Sequence, residues 1–321
     1  MQLVAADIGG THARFALAQL EPGERPRIGA IRRYRTREHA GLASAWAAFE
    51  KDIGVLPRNA ALGVAAPVEG EILTFMNSDW RIDRRTLAAD LGLERLTLVN
   101  DFGAVAHAVS VLDEAEMAPI MGPDAPLPDA GVITVLGAGT GLGVALFRRR
   151  GGEVMVIETE ASHVAFAALN AEEEALRGAL AARYGRVSIE RIVSGPGLVD
   201  IHRFLGGGEW DPHLAGDLWQ RAIDGSDAIA ARALAILVRC FGAAAGDIAL
   251  AQGAMGVAIT GGLANRIAHL LRGPEFAGRF LAKGRYRDRM ERIPVKLVTI
   301  EEPGLLGAAV AFQREWLSPS P

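Results

Sequence analysis

Thiols are almost missing from this chain: Cys240 is the one cysteine in 321 residues. A single thiol builds no internal disulfide framework and no multi-thiolate zinc site, and such usage fits a reducing compartment. Charge of one sign is also missing, because 34 basic and 38 acidic residues are intermixed and leave a formal net charge of −4. That balance gives no field to hold a polyanion, so neither nucleic acid nor an anionic membrane is expected as a partner. Met1 to Asp7 lack the basic flank and long apolar core of a signal peptide, which makes the cytoplasm the simplest location. Two uncharged stretches, 130–147 and 248–265, are as long as a membrane span, yet they carry five and four glycines and read as buried strand and turn.

What is present is apolar material in quantity. Half of the chain is hydrophobic, enough to bury a large core, and at about 150 residues per domain the length suggests two domains. The pattern along the chain is mixed α/β. Leu3 to Ala6, the turn Gly9-Gly10-Thr11 and Ala13 to Leu20 read as a β-hairpin. Ala60 to Ala66 and Leu96 to Val99 read as strands, Leu42 to Lys51 as a helix, and Arg84 to Leu91 as a helix capped by Asp83. Val132 to Leu136, a glycine turn and Leu142 to Phe147 repeat the opening hairpin, and setting Thr11 on Thr140 aligns the two. The second half is mostly helical: Ala171 to Tyr184 behind Asn170 with Glu173 at the third position, and Ala228 to Leu250 behind Ser226. Strands at Gly256 to Thr260 and Pro294 to Ile300 interrupt it, and Pro303-Gly304 opens a final amphipathic helix to Trp316 before Ser-Pro-Ser-Pro. No low-complexity linker separates the halves.

Several short runs carry chemistry. Asp7-Ile8-Gly9-Gly10-Thr11 sets a carboxylate at a strand end beside bare backbone amides and a hydroxyl, a combination suited to phosphate oxygens, with Asp7 able to hold Mg²⁺ directly or through water. An ordinary capped hairpin would use the same residues. Gly137 to Gly143 is a second glycine turn; no helix follows it and no Lys-Ser/Thr ends it, so it is neither a Walker A loop nor a dinucleotide fingerprint. Asn100-Asp101-Phe102 falls where a strand stops and a helix begins, the end of an α/β sheet at which ligand groups sit. Asp101 there is either a helix N-cap or the acceptor of a substrate hydroxyl's proton. Glu160, His163 and Glu190 form a sparse polar set suited to sugar hydroxyls, although Glu190 also fits a first-turn acid behind a Ser188 cap and His163 a surface imidazole. Gly261-Gly262 after an apolar strand would admit the face of a purine or ribose, or serve packing alone.

Taken in order, these runs resemble the bacterial glucokinases, a branch of the sugar kinase, actin and chaperone-ATPase superfamily. The matching pieces are Asp7 to Arg14, Asn100 to Ala106, Gly137 to Val144, Glu160 to Phe166, Ser188 to Val199, Ile259 to Leu263 and Pro303 to Ala308. The resemblance implies a two-lobed, actin-like (ribonuclease H-like) α/β fold with a nucleotide and sugar cleft between domains. The small domain would hold residues 1–112 plus 302–321 and the large one residues 113–301. It implies ATP-dependent phosphorylation of glucose, the opening step of glycolysis, with Mg²⁺ and with Asp101 as catalytic base. Asn100, Asp101, Glu160, His163 and Glu190 would bind the hexose. Asp7, Ile8, Gly9, Gly10, Thr11, Gly139, Thr140, Gly141, Gly261 and Gly262 would face the nucleotide. Two positions depart from the family's usual pattern: His12 stands where Asn follows the Gly-Gly-Thr turn, and Ala161-Ser162 replaces a glycine pair. The added β-carbons are expected to crowd the sugar and disfavour N-acetylated sugars. The rival readings are a kinase of mannose, fructose or an N-acetylated amino sugar, and a sugar sensor without turnover. Donors other than ATP, polyphosphate included, and oligomeric state, a homodimer included, stay open.

Overall fold

The computed structural model describes residues 1–66, 68–75, 78–208 and 215–317. Alternation decides the first strand: β1 (Gln2–Ile8) sets Val4, Ala6 and Ile8 on one face and Leu3 and Ala5 on the other, all fully buried. A strand apolar on both faces needs cover on both. Helix α1 (Leu42–Ile53) covers the first face with Leu42, Ala45, Trp46 and Phe49. The C-terminal helix Pro303–Trp316 covers the second with Leu305, Ala308, Ala309 and Phe312. β2 (His12–Gln19) returns antiparallel to β1, with β3 (Arg27–Ile28) and β4 (Arg32–Arg35) on its outer edge. β5 (Asn59–Val64) pairs parallel to β1. A separate hairpin, β6 (Ile72–Phe75) and β7 (Ser78–Asp83), and the single turn α2 (Leu87–Asp90) lead to β8 (Arg95–Asn100), which pairs parallel to β5 and runs into α3 (Asp101–Val109). The sheet order is β3-β2-β1-β5-β8.

A second sheet repeats that order. β10 (Gly131–Ala138) and β11 (Leu142–Arg150) form an antiparallel hairpin, β12 (Glu153–Thr159) lies outside β11, and β13 (Gly256–Thr260) and β14 (Val295–Val298) follow β10 in parallel. The extra strand β9 (Met117–Met121) closes the far edge antiparallel to β14. The helices around it include α4 (Ala171–Tyr184), α5 (Gly195–Phe204), α6 (Ala215–Asp224), α7 (Ala228–Gln252) and α8 (Gly262–Arg266). By contact the chain divides into Met1–Leu112, Val156–Glu158 and Ile300–Pro321 as one unit, and Asp113–Met155 with Thr159–Thr299 as the other. α7 is long and apolar enough to cross a membrane, but 78% of its apolar window is buried inside the second unit. It is a core helix, and Cys240 on it is buried, with its thiol pushed up to about 12 by that burial.

Several sequence expectations change at the level of caps and ends. The alignment of Thr11 on Thr140 holds for the second strands and slips by one in the first. Four residues separate the last ladder pair Ile8 and Ala13, whereas three separate Ala138 and Leu142. Asp83 caps no helix over 84–91; it ends β7, and its carboxylate binds the Arg85 backbone and guanidinium. Asp227, not Ser226, caps α7 by accepting the Ile229 and Ala230 N–H groups. The stretch 248–265 holds the end of α7 and the start of α8 as well as a strand. Asn170 caps α4 as expected by accepting the Glu173 N–H, while the Glu173 carboxylate accepts the Leu169 N–H one residue earlier and the Asn170 side-chain amide; Glu173, fully buried, also takes both Arg279 Nη atoms at 2.5 and 3.0 Å. The terminal Ser-Pro-Ser-Pro lies outside the described residues.

Where α3 packs on the C-terminal helix, Arg314 donates to His107 Nδ1 at 2.9 Å and to Ser110 Oγ at 2.9 Å. A guanidinium only donates, so the imidazole must accept and stay neutral. Burial first, and the Arg314 charge second, pull the His107 pKa from 6.5 down to about 4. The unfolded chain takes up this proton near 6.5 while the folded protein resists it. Stability is therefore complete above that pH and falls as pH drops toward about 4, by on the order of 3 kcal/mol from this group. Urea midpoints between pH 7 and 4 should decline less steeply in His107→Gln than in the parent; parallel profiles would contradict the assignment.

Candidate active site

Register builds the first half of the site. Ile8 pairs with Val64, and Val64 pairs with Asn100, so three parallel strands end in one row and deliver the Asp7–Thr11 turn and the Asn100-Asp101 pair to one sheet edge. The Asn100 side chain, not Asp101, caps α3: its Oδ1 accepts the Phe102 and Gly103 N–H groups at 2.9 and 3.2 Å, while its Nδ2 donates to the Ala66 carbonyl. The Asn100 N–H donates to Glu158 Oε1 at 2.8 Å. Asp101 is the first helical residue, and its Oδ1 accepts the Phe102 N–H at 2.9 Å, which fixes the plane of its carboxylate.

Asp7 sits directly opposite Arg14 across the hairpin, and Arg14 Nη1 donates to its Oδ2 at 3.2 Å. Burial pushes the Asp7 carboxyl above its ordinary value, and the Arg14 guanidinium opposes that shift. The same guanidinium lies 2.9 Å from Glu302, which also pairs with Arg33. Gly304, in the first turn of the C-terminal helix, lets that helix start close to Asp7; a β-carbon there would lie 3.2 Å from the Asp7 carboxyl carbon. His12 begins β2 opposite Arg35; burial first and Arg14 second lower its pKa, so it adds no charge at neutral pH. Sequence reasoning passed over Arg14, although the hairpin register alone sets it against Asp7. Glu158 and Glu302 arrive from distant parts of the chain and leave no local signal.

The second unit joins its sugar candidates to its glycine turn. The segment 160–166 docks on 187–190 through Phe166 N–H to Val187 O, Ile189 N–H to Val164 O and Glu190 N–H to Ser162 O, at 3.0, 3.0 and 3.1 Å. Glu160, His163 and Glu190 are thereby brought together, with His163 Nε2 3.7 Å from a Glu160 oxygen. Glu190 is in no helix and Ser188 caps none; the Glu190 Oε2 accepts the Leu142 N–H at 2.9 Å, where β11 leaves the turn. A β-carbon on Gly141 would meet that carboxylate, so any side chain there would have to displace Glu190 from the Leu142 N–H. Gly195, at the start of α5, donates to the Gly139 carbonyl at 2.7 Å and closes the other side around Thr140. Thr260 pairs with Gly137, which puts Gly261 and Gly262 at the same sheet edge, with Gly261 against the Ala138 carbonyl. Ser162 is 2% exposed and Ala161 packs on the core, whereas Glu160 and His163 are exposed. Both side chains therefore turn toward the core, Ser162 fully and Ala161 in part.

Among the described residues no group of three or more His, Cys, Asp or Glu could hold a metal ion. Asp7 is a lone carboxylate, a donor set that fits a Mg²⁺ keeping phosphate and water as its other ligands.

Comparison with known proteins places the fold and the family. A crystal structure of glucokinase from an Antarctic psychrotroph, 29% identical, has a TM-score of 0.83 over 98% of this chain and 99% of that one. The architecture is thus the two-domain, actin-like α/β fold of the sugar kinases. The family model for Glucokinase matches residues 4–315. The Glucokinase of Zymomonas mobilis is 47% identical over 98% of this chain and 99% of its own length, and that of Xylella fastidiosa 38% identical over 98% and 95%. The chain belongs to the glucokinase family, which bears out the resemblance read from its motifs.

The Glu190 bond to Leu142 has a structural consequence of its own. Glu190→Ala leaves a half-buried N–H without an acceptor and should destabilise the protein by about 1–3 kcal/mol, while Glu190→Gln, which can still accept, should cost less. Denaturant unfolding of the two variants measures the difference, and equal losses would contradict the bond's role.

Proposed function

We propose that the protein transfers the γ-phosphoryl group of ATP to the 6-hydroxyl of glucose. One observation carries the reading: the in-register row Ile8, Val64, Asn100 puts the Asp7–Thr11 turn and the Asn100-Asp101 pair at one edge of a single sheet, in a chain of the glucokinase family. Asp101 accepts the 6-hydroxyl proton, the sugar oxygen bonds to the γ-phosphorus, and the bond to the bridging oxygen of ADP breaks. Asn100, Glu160, His163 and Glu190 hold the sugar hydroxyls. Glu190 does so beside the Gly139–Gly141 turn, whose backbone with that of Gly9–Thr11 and Gly261-Gly262 faces the nucleotide. Mg²⁺ on Asp7 would neutralise phosphate charge. The single buried thiol and the balanced charge suit a cytoplasmic enzyme at the head of glycolysis.

Most of the acceleration in such a transfer comes from positioning and charge stabilisation, so losing the base is costly but not total. Asp101→Asn should lower kcat by at least about 10²-fold while glucose binding stays measurable by calorimetry. Turnover within a few-fold of the parent would remove Asp101 from the mechanism, and a parent that releases no ADP with glucose present would remove the kinase reading itself.

A further inference from the structure

We propose that Thr36 is a positioning residue for the nucleotide, holding the Gly10-Thr11 peptide of the turn so that the Thr11 N–H is presented to phosphate. The proposal rests on reading that turn as phosphate-facing. Thr36 lies just past β4, whose last residue, Arg35, pairs with His12, and it is buried at 4% exposure. From there one residue takes both middle carbonyls of the turn: its Oγ1 donates to Gly10 O at 2.7 Å and its N–H donates to Thr11 O at 3.1 Å. Its own carbonyl accepts the His39 N–H at 3.1 Å, and the His39 carbonyl accepts the Trp80 indole N–H at 3.0 Å, so the clamp is itself anchored.

The consequence follows from peptide planarity. In a trans peptide the C=O of one residue and the N–H of the next point in opposite directions. Fixing the Gly10 carbonyl toward Thr36 turns the Thr11 N–H away from it, and fixing the Thr11 carbonyl does the same for the His12 N–H. Among the described residues neither the Gly10 nor the Thr11 N–H donates to a protein acceptor, while the carbonyls of both residues are occupied. The Gly9 N–H is spent on the His12 carbonyl at 2.9 Å, so the anion-facing part is the Gly10-Thr11 pair, with its carbonyls tied back and its amides unspent. Without the hydroxyl, the Gly10-Thr11 peptide can rotate and present an oxygen to phosphate instead.

Thr36→Val keeps the volume, the β-branch and the backbone N–H and removes only the side-chain donor. The expected result is a KM for ATP and a calorimetric Kd for ADP raised about threefold to tenfold, the worth of one oriented hydrogen bond, with the KM for glucose unchanged. Thr36→Ser, which keeps the donor, should return both nucleotide constants to the parental values. If the valine variant is insoluble, Thr36→Ala removes the same donor and should show the same split. Parental nucleotide constants in Thr36→Val, or equal rises in the ATP and glucose constants together with a lowered melting temperature, would overturn the role of Thr36. A parent protein that binds no ADP would overturn the phosphate reading of the turn and the proposal with it.

Discussion

Parallel pairing in register is the constraint on which the site depends. Strands that begin at residues 2, 59 and 95 are forced to finish on one line, because each residue of β1 faces one of β5 and each of β5 faces one of β8. Nothing local in the sequence relates Ile8 to Asn100, ninety-odd positions apart; the ladder relates them through Val64. The same constraint acts in the second sheet, where Gly137 faces Thr260 and the glycine turn after β10 therefore lies beside Gly261. Chemistry collects at these ends for a physical reason. A strand's last residue is free of one ladder neighbour, and the turn or helix that follows presents backbone N–H groups that the sheet no longer uses.

Much of this was legible because it is periodic or punctuated. Both hairpins, the strands β5, β8, β10, β11 and β13, and the caps of α4 follow from alternation, glycine turns and an Asn-x-x-Glu pattern, all within a few residues of each other. What was not legible is the choice between adjacent capping residues. Asp227 takes the cap that Ser226 would also accept, and Asn100 takes the one that Asp101 would also accept; a one-residue shift changes which side chain reaches back, and tertiary packing decides it. Long-range partners were equally silent. Glu158 on the Asn100 N–H, Glu302 on Arg14 and Thr36 on the Gly10 carbonyl come from 58, 288 and 26 positions away, so no spacing rule could find them.

The side chains around these strand ends divide work that one residue could not do alone. A carboxylate that caps a helix has its lone pairs committed to backbone N–H groups, which stabilises its charged form and makes it a poorer proton acceptor. Asn100, neutral and with an oxygen on a short stem, carries the capping of α3, while the Asp101 Oδ1 accepts the Phe102 N–H, a bond that sets the orientation of its carboxylate. Glu190 follows the opposite course: one oxygen is bound to the Leu142 N–H, so its orientation and the opening of the Gly139–Gly141 turn cannot change independently. Any shift of the Glu190 carboxylate is then felt by the backbone of that turn. Rigid coupling of this kind costs adaptability and gains positioning, and phosphoryl transfer, in which little covalent work falls to the protein, rewards positioning.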